Sequence, residues 1–372
     1  MRGIPNMPAA TNGSAGTSSS WFLLVSMTFN GLMLGALLVI ACLVWMAEPL
    51  WGGLFPRADL SEIYRPEAGK GRNKIAIIRV EGVLAEGLLG YVHRQIEQAA
   101  ADPAVQAIVL RVNSPGGTIT SSDDLHRRLV ALATGDTTRN RNARPLVASF
   151  GSLAASGGYY IAAPAQTIVC DRSGMTGSIG VFAGLPTVEE LARKTGVGMT
   201  IIKQGEIKDS GAMFRSMTPK ERQVWQDLID TSYNRFVAVV EEGRGTRLKR
   251  RLLEPFTITP IKAGPAPAGP DNRQPYQRYL ADGGIYTADQ ALAHGLVDAI
   301  GTLDDAIAEA RRLADLDSTC RVVEYDRPRS PAELALGVRL PSALSVAFEP
   351  RIWALAPGHE AAAWLALTEG GR

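Results

Sequence analysis

Hydrophobic and polar positions fall into two alternating regimes along this 372-residue chain. Residues 74–84 (KIAIIRVEGVL), 105–114 (VQAIVLRVNS), 144–151 (RPLVASFG) and 166–172 (QTIVCDR) are short, mostly apolar runs, the pattern of strands buried on both faces. Between them, 91–102 and 121–133 read as helices, the second with Ser and Asp near its start. Strands alternating with helices predict an α/β fold, a mainly parallel sheet flanked by helices. At 218 the order Thr218, Pro219, Glu221 is that of an N-cap, a first-turn proline and a capping box. Val224, Leu228, Tyr233, Phe236 and Val240 keep to one face behind it, which predicts a long amphipathic helix. Residues 197–205 (VGMTIIKQG) read as strand-like, and 283–314 as helix, turn, strand and helix.

The ends follow other rules. No charged residue occurs from 21 to 46, and a helix of that length spans about 39 Å, enough to cross a bilayer core. A cleaved signal peptide is the alternative, but the run exceeds the usual length and only Arg2 precedes it. It is therefore read as a retained transmembrane helix, with Trp21 and Trp45 near its two interfaces. Residues 1–20 have a disordered composition, and 47–73 read as a linker. Residues 260–275 form a Pro-, Ala- and Gly-rich loop, and the basic run 244–251 reads as solvated surface. Beyond 330, Pro341, Pro350 and Pro357 interrupt the apolar stretches, so a second membrane span is not expected.

A hydrophobic content of 46% supports a sizeable core, and a net charge of +2 offers no basis for nucleic-acid binding. Cys42, Cys170 and Cys320 lack the spacing of a disulfide framework or a zinc site. The usual metalloprotease, esterase-elbow and phosphate-loop motifs are absent, and His93, His126, His294 and His359 all sit in contexts typical of structural or surface residues. Two turns remain. RVNSPGG (111–117) ends a strand on glycines, as an oxyanion hole or an ordinary turn would. GSLAASGGYY (151–160) sets Ser156 between a strand and a small-residue helix start, as a nucleophile or as a residue of close packing. Without a persuasive histidine, the base for a serine would be a lysine. Lys203, Lys208 and Lys220 lie downstream, with Lys208 in a Gly-flanked segment. Neutrality near pH 7 asks for a downward pKa shift of roughly 3.4 units, about 4.6 kcal/mol, which burial must supply. Glu206 and Asp209 oppose it unless their side chains point away.

RVNSPGG, SLAASGGYYIAAPA, TGSIGV, GEIKDSGAMFRSMTPKER and DGGIYTADQALAHGLVDAIG occur together in this order. In this the chain resembles the signal peptide peptidase group SppA of peptidase family S49, over about residues 74–315. The resemblance implies a ClpP/crotonase-like fold and a serine endopeptidase with Ser156 as nucleophile, Lys208 as general base and Ser178 orienting the lysine. Gly116 or Gly117, with the N–H of Gly157, would form the oxyanion hole, and Tyr159 and Tyr160 would pack behind the site. It implies no cofactor, an anchor in the cell membrane with the peptidase on the extracytoplasmic side, and left-over signal peptides or similar apolar peptides as substrates. It also implies a homo-octamer whose active sites join the serine of one subunit to the lysine of the next. The stretch 252–280 is longer than expected for the family, and 316–372 forms a proline-broken tail. A crotonase-like acyl-CoA enzyme and a non-catalytic membrane scaffold are the rival readings; the anchor and the Ser156/Lys208 pair weigh against the first.

Overall fold

The computed structural model of the chain describes residues 60–65, 69–135, 142–259, 274–326 and 352–355, together with Gly35. Apart from Gly35, the span read at 21–46 lies outside the described residues, as do residues 1–20, the centre of the 252–280 stretch, most of the tail, Cys42 and His359. Among the described residues no helix is long and apolar enough to cross a membrane.

The strands predicted from apolar runs form the centre. In chain order the elements begin with β1 (Ser61–Tyr64), β2 (Lys74–Glu81), α1 (Gly90–Ala101), β3 (Val105–Ser114), β4 (Gly116–Thr118), α2 (Ile119–Thr134) and β5 (Leu146–Ala155). Then come α3 (Gly157–Ala162), β6 (Thr167–Cys170), β7 (Met175–Gly177), β8 (Phe182–Ala183), α4 (Glu189–Thr195) and α5 (Pro219–Arg244). After these follow β9 (Phe256–Ile258), β10 (Tyr276–Arg278), β11 (Ile285–Thr287), α6 (Ala288–His294), β12 (Ala299–Ile300), α7 (Leu303–Leu313), β13 (Arg321–Asp326) and β14 (Ile352–Leu355).

Nine strands make one sheet, ordered β1-β13-β2-β3-β5-β6-β12, with β7 on the far half of β5 and β11 on β7. From β13 to β12 the pairs are parallel, and only β1 and β11 run antiparallel to their neighbours. Both faces are covered, which is why the strands are apolar throughout. Ile75, Ile77, Val109 and Val147 face Ala306, Ile307 and Ala310 of α7, while Ile78, Val80, Leu110 and Phe150 join the larger core with α1, α2 and α5. β1 lies within the stretch read as linker and β13 within the tail; four and six residues long, such edge strands leave little periodicity to read.

The long helix is capped as predicted: the Thr218 hydroxyl accepts from Glu221 N–H, and Glu221 returns the bond to Thr218 N–H. Its apolar stripe is buried only in its later half. Phe236 and Val240 are inaccessible, whereas Val224 and Leu228 are exposed on the single chain. Residues 197–203 form no strand and are exposed, since β-branched residues adopt one only where an edge is available to pair with.

The basic run 244–251 departs furthest from the solvated surface expected of it. Arg244 is buried and donates to Gly295 O (2.9 and 3.1 Å) and to both Asp298 oxygens (2.7 and 2.9 Å). Arg247 donates to the carbonyls of Arg244, Ala165, Gln166 and Gly243. The end of α5 runs into a cluster of backbone acceptors, and long cationic side chains satisfy them. Arg244→Ala strands the Asp298 carboxylate and a buried carbonyl, and is expected to cost about 3 kcal/mol, read as a lowered urea midpoint. Arg251→Ala, at an exposed position of the same run, is expected to stay within about 0.5 kcal/mol of the parent.

Candidate active site

The site is built where β5 overruns the sheet. β3 pairs Val112 with Phe150 but Ser114 with Ala154, so Asn113 alone faces Gly151, Ser152 and Leu153. The Asn113 carboxamide oxygen accepts from Ser152 Oγ (2.9 Å) and Leu153 N–H (3.2 Å), and this satisfies the bulge. The strand therefore continues past the turn expected at 151–155 and ends directly on Ser156.

Ser156 has φ 54° and ψ −119°, a conformation that costs a non-glycine residue roughly 1–3 kcal/mol. Its N–H donates to Gly177 O (2.7 Å) and its carbonyl accepts from Tyr160 N–H (2.9 Å). A strained strand-to-helix turn of this kind is one way a fold presents a nucleophile. Ser156 is inaccessible to solvent, and among the described residues its hydroxyl has no hydrogen-bond partner. A buried hydroxyl left unsatisfied costs about 1–3 kcal/mol, so the site carries a second local cost at the same residue.

Ser178 follows Gly177 and is brought in by the same contact. It too is buried with positive φ (51°), held by its N–H on Gly284 O at 2.8 Å. Among the described non-glycine residues, Asp315 alone shares that backbone sign with these two serines. Thr176 braces the pair from below by donating to Ala154 O (2.6 Å).

The three candidate oxyanion glycines converge. A methyl group on Gly157 would collide with Ser122 Oγ and stand 3.1 Å from Gly116 Cα and from Gly117 N. One on Gly117 would run into the Leu84 carbonyl. Glycine is therefore required by close backbone approach at both positions. The N–H of Gly116 is engaged with Ser114 Oγ (3.1 Å), so Gly117 is the better placed of the two alternatives to act with Gly157. Tyr159 and Tyr160 pack behind the turn, fully buried, with their hydroxyls on Leu296 O (2.7 Å) and Asp123 (2.9 Å).

Lys208 is not brought to Ser156 within one chain. It is exposed, and its side chain forms no hydrogen bond or ion pair with another described residue. The backbone that carries it is nevertheless well fixed. Asp209 takes Lys203 and Arg215, and Arg215 also pairs with Glu221 of the α5 capping box. Trp225 Nε1 donates to Ser210 Oγ at 2.9 Å. Glu206 pairs with Lys220 at 2.6 Å. The two acids flanking Lys208 are thus each neutralised by other cations, which removes the conflict their proximity raised. None of the described histidines serves Ser156. His93 stands 2.9 Å from Asp124, His126 packs edge-on to Tyr160, and His294 stacks near Phe256 and Tyr286.

The family model for "Peptidase family S49" matches residues 138–252 and 272–317. A Synechocystis protein named as a protease is 34% identical over 71% of this chain and 82% of its own length. Protease 4 of Salmonella typhi is 35% identical over 60% of this chain, which spans only 30% of that relative. An Enterococcus faecium protein named for signal peptide peptidase SppA is 31% identical over 70% of this chain and 69% of its own length.

The Arg215 guanidinium holds the Asp209 and Glu221 carboxyls below their ordinary values of 3.8 and 4.5. Depressed folded-state values stabilise the charged forms, so their support is complete above the unfolded values and is lost as pH falls through the folded ones. Amide-exchange protection of residues 205–216 is therefore expected to be full above about pH 5 and to decline below it. In Arg215→Ala it should be low already at neutral pH.

Proposed function

This chain belongs to peptidase family S49 and is a serine peptidase; from that premise we propose that Ser156 is its nucleophile and Lys208 its general base. The observation that carries the assignment is the Ser156 turn: a buried serine in a strained backbone state, with an unpartnered hydroxyl and glycine backbone packed against it. Neutral Lys208 takes the Ser156 proton as Oγ attacks the scissile carbonyl, and the N–H groups of Gly157 and Gly117 hold the oxyanion. The lysine then gives that proton to the leaving amine. It next deprotonates the water that attacks the acyl-enzyme, and the released serine recovers its proton. Ser178, one residue beyond the carbonyl that holds Ser156, orients the amine. The family's ClpP/crotonase-like architecture agrees with a mostly parallel sheet under helices and with backbone amides aimed at a developing oxyanion.

Lys208 must come from a second copy. It is exposed on the isolated chain, and burial is what makes an amine neutral near pH 7. The segment around it bears the apolar surface such a contact would cover: Leu191, Val197, Met199, Ile202 (97% exposed) and Met213, with Val224 and Leu228 on α5. Covering apolar area contributes roughly 25 cal/mol per Å². A homo-octamer with shared sites, as in the short members of the family, meets both needs. The uncharged run 21–46 anchors the assembly in the cell membrane, with the peptidase outside the cytoplasm, where left-over signal peptides and similar apolar peptides are its substrates.

Ser156→Ala and Lys208→Ala, each expressed alone in detergent, are expected to lose at least about 10³-fold in hydrolysis of a fluorogenic peptide. Co-expressed as a mixed assembly, they should regain about a quarter of wild-type activity, because random mixing leaves that share of shared sites intact. No recovery in mixed assemblies would place the lysine and serine of each site on one subunit. Full activity of either single variant would remove it from the dyad.

A further inference from the structure

Ser178 is held in its positive-φ backbone state from a neighbouring turn. Its N–H donates to Gly284 O (2.8 Å), and Gly283 N–H donates to Ile179 O (3.1 Å). These two contacts carry the antiparallel register of β11 on β7, in which Ile285 faces Gly177, past its last pair. The place of Ser178 therefore depends on whatever fixes the turn at Asp282, Gly283 and Gly284.

One side chain does so. The Arg278 guanidinium donates from Nε to Asp282 Oδ2 and from Nη2 to Asp282 Oδ1, both at 2.7 Å, and from Nη1 to Ile285 O at 3.2 Å. Asp282 Oδ1 also accepts from Gly284 N–H (2.9 Å). The guanidinium thus grips the chain on both sides of Gly284, and a planar fork that meets a carboxylate at two points fixes direction as well as distance. It fills the space of the side chain that residue 284 lacks, since a methyl group there would collide with Arg278 Nη2. It also lies 4.3 Å over the ring of Tyr286, which is buried and takes up the corresponding space beside Gly177. Only 12% of the Arg278 side chain is exposed, so it belongs to the wall of the site and not to the solvated surface. Arg278 lies outside the motifs that carry the family resemblance. It sits on β10 opposite Phe256 of β9, within the stretch 252–280.

We propose that Arg278 is a positioning residue of the active site: through Asp282 and the Gly284 carbonyl it sets the backbone of Ser178, and so the direction in which the Ser178 hydroxyl meets the Lys208 amine. This rests on the roles assigned above to Ser178 and Lys208. The rotamers open to a hydroxyl follow from the backbone that carries it, so a shift of the turn is passed on to the lysine contact. The effect of Arg278 on the reaction runs through the base alone, and it bears on kcat and not on KM.

The test removes the fork and keeps the charge. Arg278→Lys, Gly284→Ala, Ser178→Ala and the double variant Arg278→Lys/Ser178→Ala are made in the full-length chain in detergent, with the melting temperature as a control for folding. Should Arg278→Lys fail to fold, Gly284→Ala takes its place alone and in the double variant, because its methyl group displaces the guanidinium and leaves Arg278 present. The Ser178 N–H is expected to be protected from amide exchange in the wild type and to lose protection in Arg278→Lys and in Gly284→Ala. Each of these two should lose about 10- to 100-fold in kcat on an apolar fluorogenic peptide, with KM within about twofold of the wild type. A packing defect unconnected with the base multiplies the loss caused by Ser178→Ala, whereas a residue that acts through Ser178 adds nothing to it, so the double variant should match Ser178→Ala within about twofold. Unchanged exchange at Ser178, unchanged kcat beside a deficient Ser178→Ala, or losses that multiply in the double variant would overturn the proposal and leave the assigned roles standing. Full kcat in Ser178→Ala, or no hydrolysis by the wild type, would remove those roles and the proposal with them. Exchange at Ser178 reports the clamp without catalysis and keeps the two failures apart.

Discussion

The hydrogen bond from Ser156 N–H to Gly177 O, 2.7 Å long, is the contact from which the site is assembled. It closes the far end of β5 onto β7 at the point where the backbone leaves the extended region, and so holds Ser156 in a state it would not adopt alone. Gly177 is also the residue before Ser178, so the same bond fixes the spacing of the two serines. The ladder from Leu153 to Ala155 along β7 and the Asn113 clamp on the bulge make the approach to this bond rigid. Local strain is affordable where surrounding structure over-determines it, and here a nine-stranded sheet does so.

The division of labour between core and periphery follows from that rigidity. Ser156 and the glycines around it belong to the parallel sheet and its crossovers, where positions are set by buried ladders. Lys208, the proposed base, belongs to a surface turn whose order comes from ion pairs among Lys203, Asp209, Arg215 and Glu221. On the proposed assignment, a fold that keeps the two apart would carry no competent dyad in the isolated chain, and an assembly that joined them would make activity conditional on association.

Much of this was legible in the residues. Buried parallel strands print continuous apolar runs, and the capping box at Thr218 and Glu221 is a local signal that tertiary context did not override. The strand at 144–151 was placed correctly but its extent was not, because the extension depends on Asn113, thirty-eight or more positions earlier, receiving the bulge. Residues 197–203 show the opposite limit: apolar and β-branched, they have no edge to pair with in the single chain. Arg244 misled in a third way, since charge density along a sequence does not reveal how many carbonyls a cation will meet. The chemistry of Ser156 was a matter of motif and resemblance. Its backbone angle, the property that sets it apart physically, leaves no trace in residue identity.

Glu221 holds two structures at once: it closes the capping box of α5 and receives the guanidinium that fixes the Lys208 turn. The helix and the turn are therefore one mechanical body, with the helix as its lever. Any tilt of α5 at its exposed, Val224-bearing end is delivered to the lysine as a displacement. If the site is shared between copies as proposed, pressure from a neighbouring copy on that end would set the reach of Lys208, converting the quality of an intersubunit fit into the geometry of a proton transfer.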